Sequence, residues 1–312
     1  MDSAHRRLRR TLRSAQLLTL VFLAAALCGQ TRFTVDRTGP AWTFDAAWKD
    51  ADKQARTASW SLPAKAIQKD LDEKISFPTV AANHAVAAEL RAYAKTVKGA
   101  KLTVKESKQG LRLSASGRDR GRVRDVLKAA EDRQTLALDS WMGANGFIRT
   151  RKDEISFDHA RLAAEYAADV APLADALGRG KLDERAFAER ALHFVQSIPY
   201  EKHLKSGGDA GYRRPLALLA RNRGDCDSKA VLYLALMEAA FPDLAKVVVY
   251  IPDHAFVGLG LEKMDHESTF KRDGQEWLFA EAVGPALVGL GEAAGRSKRG
   301  VNFGGGEIHA VP

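Results

Sequence analysis

From Asp158 to Leu177 the apolar residues Leu162, Tyr166, Val170, Leu173 and Leu177 recur at helical spacing. This predicts a helix with one buried face, kinked at Pro172 and closed by Gly178 and Gly180. Asp183 opens a second helix whose stripe is Phe187, Ala191, Phe194, Val195 and Ile198, and Pro199 stops it. After Gly224 and Asp225 comes a segment, Cys226 to Phe241, that is apolar almost all round. Such a helix belongs at the centre of its domain. Lys246 to Ile251 is a β-branched run, hence a strand, and Pro252 interrupts it. The pattern then alternates from His254 to Leu261, with His254, Phe256, Gly258 and Gly260 on one face. Two glycines on one face admit a close neighbour. Asp273-Gly274 marks a turn, and Trp277, Phe279 and Glu281 share one face of the strand that follows.

Upstream, Thr79 to Lys98 is rich in Ala with Leu90 and Tyr93 interspersed, which predicts a helix. Leu102 and Val104, a turn at Lys108-Gln109-Gly110, then Leu111, Leu113 and Ala115 predict a hairpin. A helix from Arg120 to Trp141 follows, broken by Gly143, Asn145 and Gly146. Residues 29–75 show no sustained period, although Trp42, Trp48 and Trp60 suggest that parts of the stretch dock on something. These patterns divide the chain into 29–75, an irregular docking linker; 76–180, a smaller mixed α/β region; 181–290, the main domain; and 291–312, a flexible Gly-rich tail containing Gly304-Gly305-Gly306. The domain boundary is placed near Gly178–Lys181.

Residues 1–28 read as an export signal. Arg6, Arg7, Arg9, Arg10 and Arg13 precede an apolar run of about 11 residues, Leu17 to Leu27, and small residues offer a cleavage site. The run falls short of the roughly 20 residues a membrane span needs, so contact with a membrane is expected only if this segment stays uncleaved. Lipidation at Cys28 is a weaker alternative, because Leu27 stands where a small residue is expected. The chain is therefore expected outside the cytoplasm, periplasmic or extracellular. The formal net charge is +9; five Arg against one Asp in 1–28 give +4 and leave +5 for the rest. With bases and acids interleaved, that balance does not suggest a nucleic-acid partner.

Of two cysteines, only Cys226 remains if 1–28 is removed. It is then an inert thiol, an intermolecular link or a reactive group. Its place at a helix N-terminus, beside free N–H groups and the positive end of the dipole, is expected to lower its pKa and favour the thiolate. Asp225 and Asp227 beside it work mildly in the other direction. A thiol nucleophile needs a base, and the base an orienting group. His254 opens a strand, and an antiparallel hairpin from 254 to 282 would bring Glu281 beside it. Asp253 is the rival orienter, pointing to the opposite face, and His266 lies in a polar connection. The Cys226 N–H can supply one oxyanion donor; for a second, Tyr200 is the only suggestion. No His-Glu-x-x-His, Cys-x-x-Cys or Walker-type run is present, so no metal, nucleotide or other cofactor is expected.

Gly224-Asp225-Cys226-Asp227-Ser228-Lys229-Ala230, then Asp253-His254-Ala255-Phe256-Val257-Gly258-Leu259, then Trp277-Leu278-Phe279-Ala280-Glu281, resemble the transglutaminase-like superfamily. Phe194 to Tyr200 and Arg214-Pro215 resemble the lead-in of its bacterial members, and the likeness covers about residues 181–290. The resemblance implies an α+β, papain-like core in which a Cys-bearing helix packs on an antiparallel sheet. It also implies a Cys-His-Asp/Glu site, here Cys226, His254 and Glu281. The family includes peptide crosslinkers, proteases, amidases and inactive members. The expected function is thus thiol-dependent amide hydrolysis or acyl transfer on a peptide or protein substrate, or on cell-envelope material, with hydrolysis favoured by family analogy. The alternative is an inactive binding module of the cell envelope. Residues 29–180 resemble nothing nameable and are read as a substrate-presenting or autoinhibitory region.

Overall fold

The structure is a computed structural model that describes residues 29–73, 76–107, 110–150, 154–201, 212–252, 254–284, 286–302 and 306–312. The segment 1–28 expected as an export signal, Lys108 and Gln109 of the expected turn, Asp253, and Gly304-Gly305 lie outside the described residues. The class is mixed α and β with antiparallel pairing throughout the sheets. The chain forms two compact units, one made of the chain through Ile75 together with His159–Pro312, the other of Ser76–Asp158. The expected division near Gly178–Lys181 therefore falls inside the larger unit. No helix among the described residues is long and apolar enough to cross a membrane.

The larger unit begins with an antiparallel sheet of β1 (Gln30–Asp36), β2 (Ala41–Lys49) and β3 (Ala55–Pro63), followed by α1 (Ala64–Asp72). The irregular linker expected over 29–75 is thus wrong. Phe44, Ala46 and Trp48 of β2, and Ala58, Trp60 and Leu62 of β3, are buried at every second position. That period of two was masked by the small apolar residues Ala46 and Ala58 within it.

The smaller unit holds α2 (Thr79–Thr96), the hairpin β4 (Lys101–Ser107) and β5 (Gly110–Ser116), α3 (Arg120–Ala144), and a short ladder of β6 (Phe147–Arg149) and β7 (Ile155–Phe157). Asp119 caps α3 by accepting from the Gly121 and Arg122 N–H groups. Val86, Leu90 and Ala137 pack against the hairpin's leucines, and Leu102, Val126 and Ala130 form the neighbouring cluster.

Returning to the larger unit, α4 (His159–Leu177) runs unbroken through Pro172, and α5 (Glu184–Ser197) starts at the Asp183 cap. Then come α6 (Pro215–Arg221) and α7 (Cys226–Ala240). The five-stranded sheet has the order β10-β11-β9-β8-β12, where β8 is Lys246–Ile251, β9 His254–Leu259, β10 Thr269–Arg272, β11 Gln275–Ala280 and β12 Glu307–Ala310. α8 (Gly295–Asn302) precedes the last strand. Every residue of α7 from Ser228 to Met237 is buried, and the helix packs against α4, α5, α6 and the β8–β9 hairpin. Val247, Val249, Ile251, Phe256, Phe270, Trp277, Phe279 and Val301 form one core cluster. Gly258 admits the close neighbour expected of it: a Cβ there would lie 2.8 Å from both the Phe270 ring and Val247.

The segment expected as a mobile tail instead supplies α8 and the edge strand β12, with Val301 in the core cluster. Its glycines concealed short elements whose stability comes from docking rather than from helix propensity.

Phe194 of α5 is fully buried, with Trp48 5.2 Å and Trp60 5.7 Å away in edge-on contact. It fastens the first sheet to the rest of the unit. Phe194→Ala is expected to cost about 3–5 kcal/mol in urea unfolding; a loss below about 1 kcal/mol would contradict this packing.

Candidate functional site

Two loops and two strands meet at the N-terminus of α7. Asn222 ends α6 in the left-handed region at φ 50°, turning the chain toward Gly224. Pro199–Glu201 lies beside that turn: Glu201 N–H donates to Gly224 O at 3.1 Å, and Gly224 N–H to Pro199 O at 3.3 Å. A side chain at 224 would collide with Leu218 at 2.7 Å, so the approach requires glycine. Asp225 caps α7, accepting from Ser228 N–H at 3.0 Å and from Ser228 Oγ at 2.6 Å. Burial pushes the Asp225 carboxyl up to about 6, and Asp227 adds to the rise.

Cys226 is the first residue of α7 and half-buried. Its Sγ donates to Asp227 Oδ1 at 3.3 Å, and the Ala255 backbone N–H lies near enough to favour the charged form of the sulfur. The thiolate expected from the helix dipole is not favoured here. Burial, the charges of Asp227 and Asp225 and the bond to Asp227 push the thiol up to about 12, against the single opposing effect of the Ala255 N–H. Within this site, loss of solvation and two neighbouring carboxylates outweigh a partial positive charge at a helix end.

His254 pairs with Ile251 across the β8–β9 turn, which puts it at the strand mouth. On the neighbouring strand, Ala280 pairs with Val257, so Glu281 emerges beside His254 as the hairpin register requires. His254 Nε2 and Glu281 Oε1 are 2.7 Å apart, with both side chains largely buried. The ring's Nδ1 makes no hydrogen bond among the described residues, and none joins the thiol to the imidazole. The structure therefore brings His254 and Glu281 into contact, and sets Cys226 against the residue next to His254 with its S–H turned toward Asp227.

Several positioning residues escaped the sequence reading. Ser297 of α8 is fully buried and donates its hydroxyl to Glu281 Oε2 at 2.6 Å. Arg296 donates to Pro252 O, holding the turn that precedes His254. Gln196, also fully buried, donates to Glu281 O at 2.8 Å and to Val288 O at 3.0 Å, and accepts from Val288 N–H. Lys229 is fully buried and donates to Ile198 O at 2.6 Å and Gln196 O at 3.3 Å, at the C-terminus of α5 where a cation is favoured. The available signal was a polar residue inside an apolar run, Gln196 after Phe194-Val195 and Lys229 within α7.

Tyr200 is 38% exposed and bridges to Gly224. Burial raises its phenol, and the carboxylates of Asp225 and Asp227 raise it further, so it remains a proton donor at neutral pH. His266 is exposed, as expected of a polar connection. Among the described residues, no three His, Cys, Asp or Glu side chains converge as metal ligands. No protein-family model, curated protein or solved structure matches the chain.

Because only the thiolate alkylates, iodoacetamide reports the thiol's ionisation directly. Asp227→Asn removes a charge and a bond that both oppose ionisation. The expected result is a pH–rate profile for Cys226 alkylation shifted about one unit lower than in the unsubstituted protein; an unchanged or higher midpoint would contradict this account of the thiol.

Proposed function

We propose that the protein is a thiol-dependent amide hydrolase or acyl transferase of the transglutaminase-like kind, acting on peptides outside the cytoplasm. The observation that carries the reading is the buried His254–Glu281 pair at 2.7 Å, with Cys226 at the start of α7 near enough to the next residue, Ala255, for that residue's backbone N–H to act on the sulfur. A Cys-bearing helix packed beside an antiparallel sheet accords with the papain-like core that the resemblance implies, and that finer fold is part of the proposal.

The raised thiol selects the form of the mechanism. A standing thiolate–imidazolium pair is not needed. The Cys226 S–H rotates from Asp227 to His254 Nδ1, and the imidazole takes the proton as sulfur attacks the amide carbonyl. Glu281 steadies the imidazolium through Nε2–H. The carbonyl oxygen, now negative, meets the Cys226 N–H, free of any intrahelical partner at the start of α7, and the Tyr200 hydroxyl serves as second donor. His254 returns the proton to the leaving amine. Water then attacks the thioester, giving hydrolysis; an amine in its place gives crosslinking.

One observation favours a second reading, a binding module without catalysis. The thiol is neutral and engaged with Asp227 rather than with His254. Activity profiling against peptide libraries and envelope material separates the two. In the enzyme reading Cys226→Ala abolishes amide cleavage and His254→Ala lowers it about 10²–10⁴-fold. Cleavage that survives Cys226→Ala would end the proposal.

Ser297 is a positioning residue in this scheme. Ser297→Ala leaves one Glu281 oxygen buried without its donor, a penalty of about 1–3 kcal/mol. The expected outcome is a kcat about tenfold lower with KM unchanged, restored by Ser297→Thr. Equal kcat values for the alanine variant and the unsubstituted enzyme would remove Ser297 from the mechanism.

A further inference from the structure

Beside the Cys226 loop lies a cavity of about 420 Å³, within the size range of small-ligand sites, lined by Arg37, Leu71, Glu201, Arg213, Ala220, Arg221 and Arg223. Among the described residues of the lining, four guanidiniums stand against one carboxylate, a net charge of +3. Two of the four are fixed in place. Arg213 forks onto Glu201 Oε2 through Nε at 2.9 Å and Nη2 at 2.8 Å. Arg37 sits 4.9 Å over the Trp42 ring and donates to Ala220 O at 3.3 Å. Arg221 and Arg223 are exposed and pair with no carboxylate among the described residues.

Contacts within the fold hold Arg37, on Ala220 O at the end of α6, and Arg213, on Glu201, and the helix dipole suits Arg221, but none of these accounts for Arg223. Arg223 lies beyond the cap, and like charges gathered around one concavity repel. Their convergence makes sense if an anion fills the space. Guanidinium forks match carboxylates in two-bond geometry, and those of Arg221 and Arg223 are engaged by no carboxylate among the described residues.

We infer that this cavity is a substrate subsite for carboxylates, and that the acyl substrate is a peptide carrying two or more of them near the scissile amide. The inference rests on the thiol-amide reading for the scissile amide and for the choice of a peptide as occupant, while the anion preference of the cavity stands apart from it. Arg223 is three residues before Cys226, so the chain between spans at most about 11 Å. Glu201, on the cavity wall, is hydrogen-bonded to Gly224. A bound carboxylate would therefore sit within a few residues of the bond under attack. Peptides supply carboxylates at side chains and at the C-terminus, and amides are what a thiol nucleophile cleaves. Both facts favour an acidic peptide over a free phosphate as occupant.

Calorimetric titration of the full chain tests this without turnover, using end-blocked tetraglutamate, end-blocked tetraglutamine and inorganic phosphate at low salt. Tetraglutamate is expected to bind about tenfold or more tighter than tetraglutamine, and the advantage to vanish in the double variant Arg221→Glu, Arg223→Glu. Both positions are exposed, and matching circular dichroism spectra of the variant show that its fold is kept. Equal binding of the two peptides, or an undiminished preference in the double variant, overturns the subsite. Phosphate binding as tight as tetraglutamate overturns its assignment to peptides. A protein that prefers tetraglutamate but cleaves no amide keeps the pocket as a binding site and sinks the enzyme reading. One that cleaves amides without distinguishing the two peptides sinks the subsite alone.

Discussion

Glu281 is buried and takes two hydrogen bonds on its carboxylate, one from His254 Nε2 at 2.7 Å and one from Ser297 Oγ at 2.6 Å. A carboxylate out of water is costly unless its oxygens are bonded, so these two donors are conditions of the fold as much as of the site. Satisfying both fixes three elements at once: β9, which opens with His254; the end of β11, from which Glu281 emerges; and α8, which carries Ser297. Gln196 adds a fourth by holding the Glu281 carbonyl from the end of α5. The imidazole is thereby set with one nitrogen committed and the other available.

The thiol is governed by a different balance. Cys226 stands where the helix dipole would draw out a proton, yet burial and two flanking acids leave it protonated. In the proposed mechanism, ionisation of such a sulfur waits for the moment when the imidazole can take the proton. Around it, Asp225 caps α7 through Oδ1, and Lys229, deep in the core, braces the segment leading to Tyr200. The same loop that positions the thiol forms one wall of the arginine-lined cavity.

The parts of this architecture that were legible in the sequence are those with strong periodic signals. The apolar helix after Gly224-Asp225, the β-branched strand Lys246–Ile251, the alternation from His254 and the turn at Asp273-Gly274 all fall where patterning placed them, and the antiparallel register brings Glu281 to His254. Three features were not legible. The first sheet hides its alternation behind Ala46 and Ala58. α8 is too short and polar to announce itself, and it packs against β8 and β10. The burial of Cys226 depends on Ala255 and on acids whose orientation no spacing rule gives, so local dipole reasoning predicted the wrong direction for its ionisation. The boundary between units was also misplaced, because α4 reads as a continuation of the preceding region while its apolar face packs on α7.

The central claim is that sulfur, imidazole and carboxylate act as one unit on a carbonyl. The most direct measurement uses a peptide aldehyde labelled with ¹³C at its carbonyl carbon and follows the label by NMR in the presence of the protein. The account predicts a thiohemiacetal signal that depends on Cys226 and is greatly weakened in Glu281→Ala and His254→Ala. A signal that persists undiminished in both variants, or no adduct at any aldehyde concentration, would contradict it.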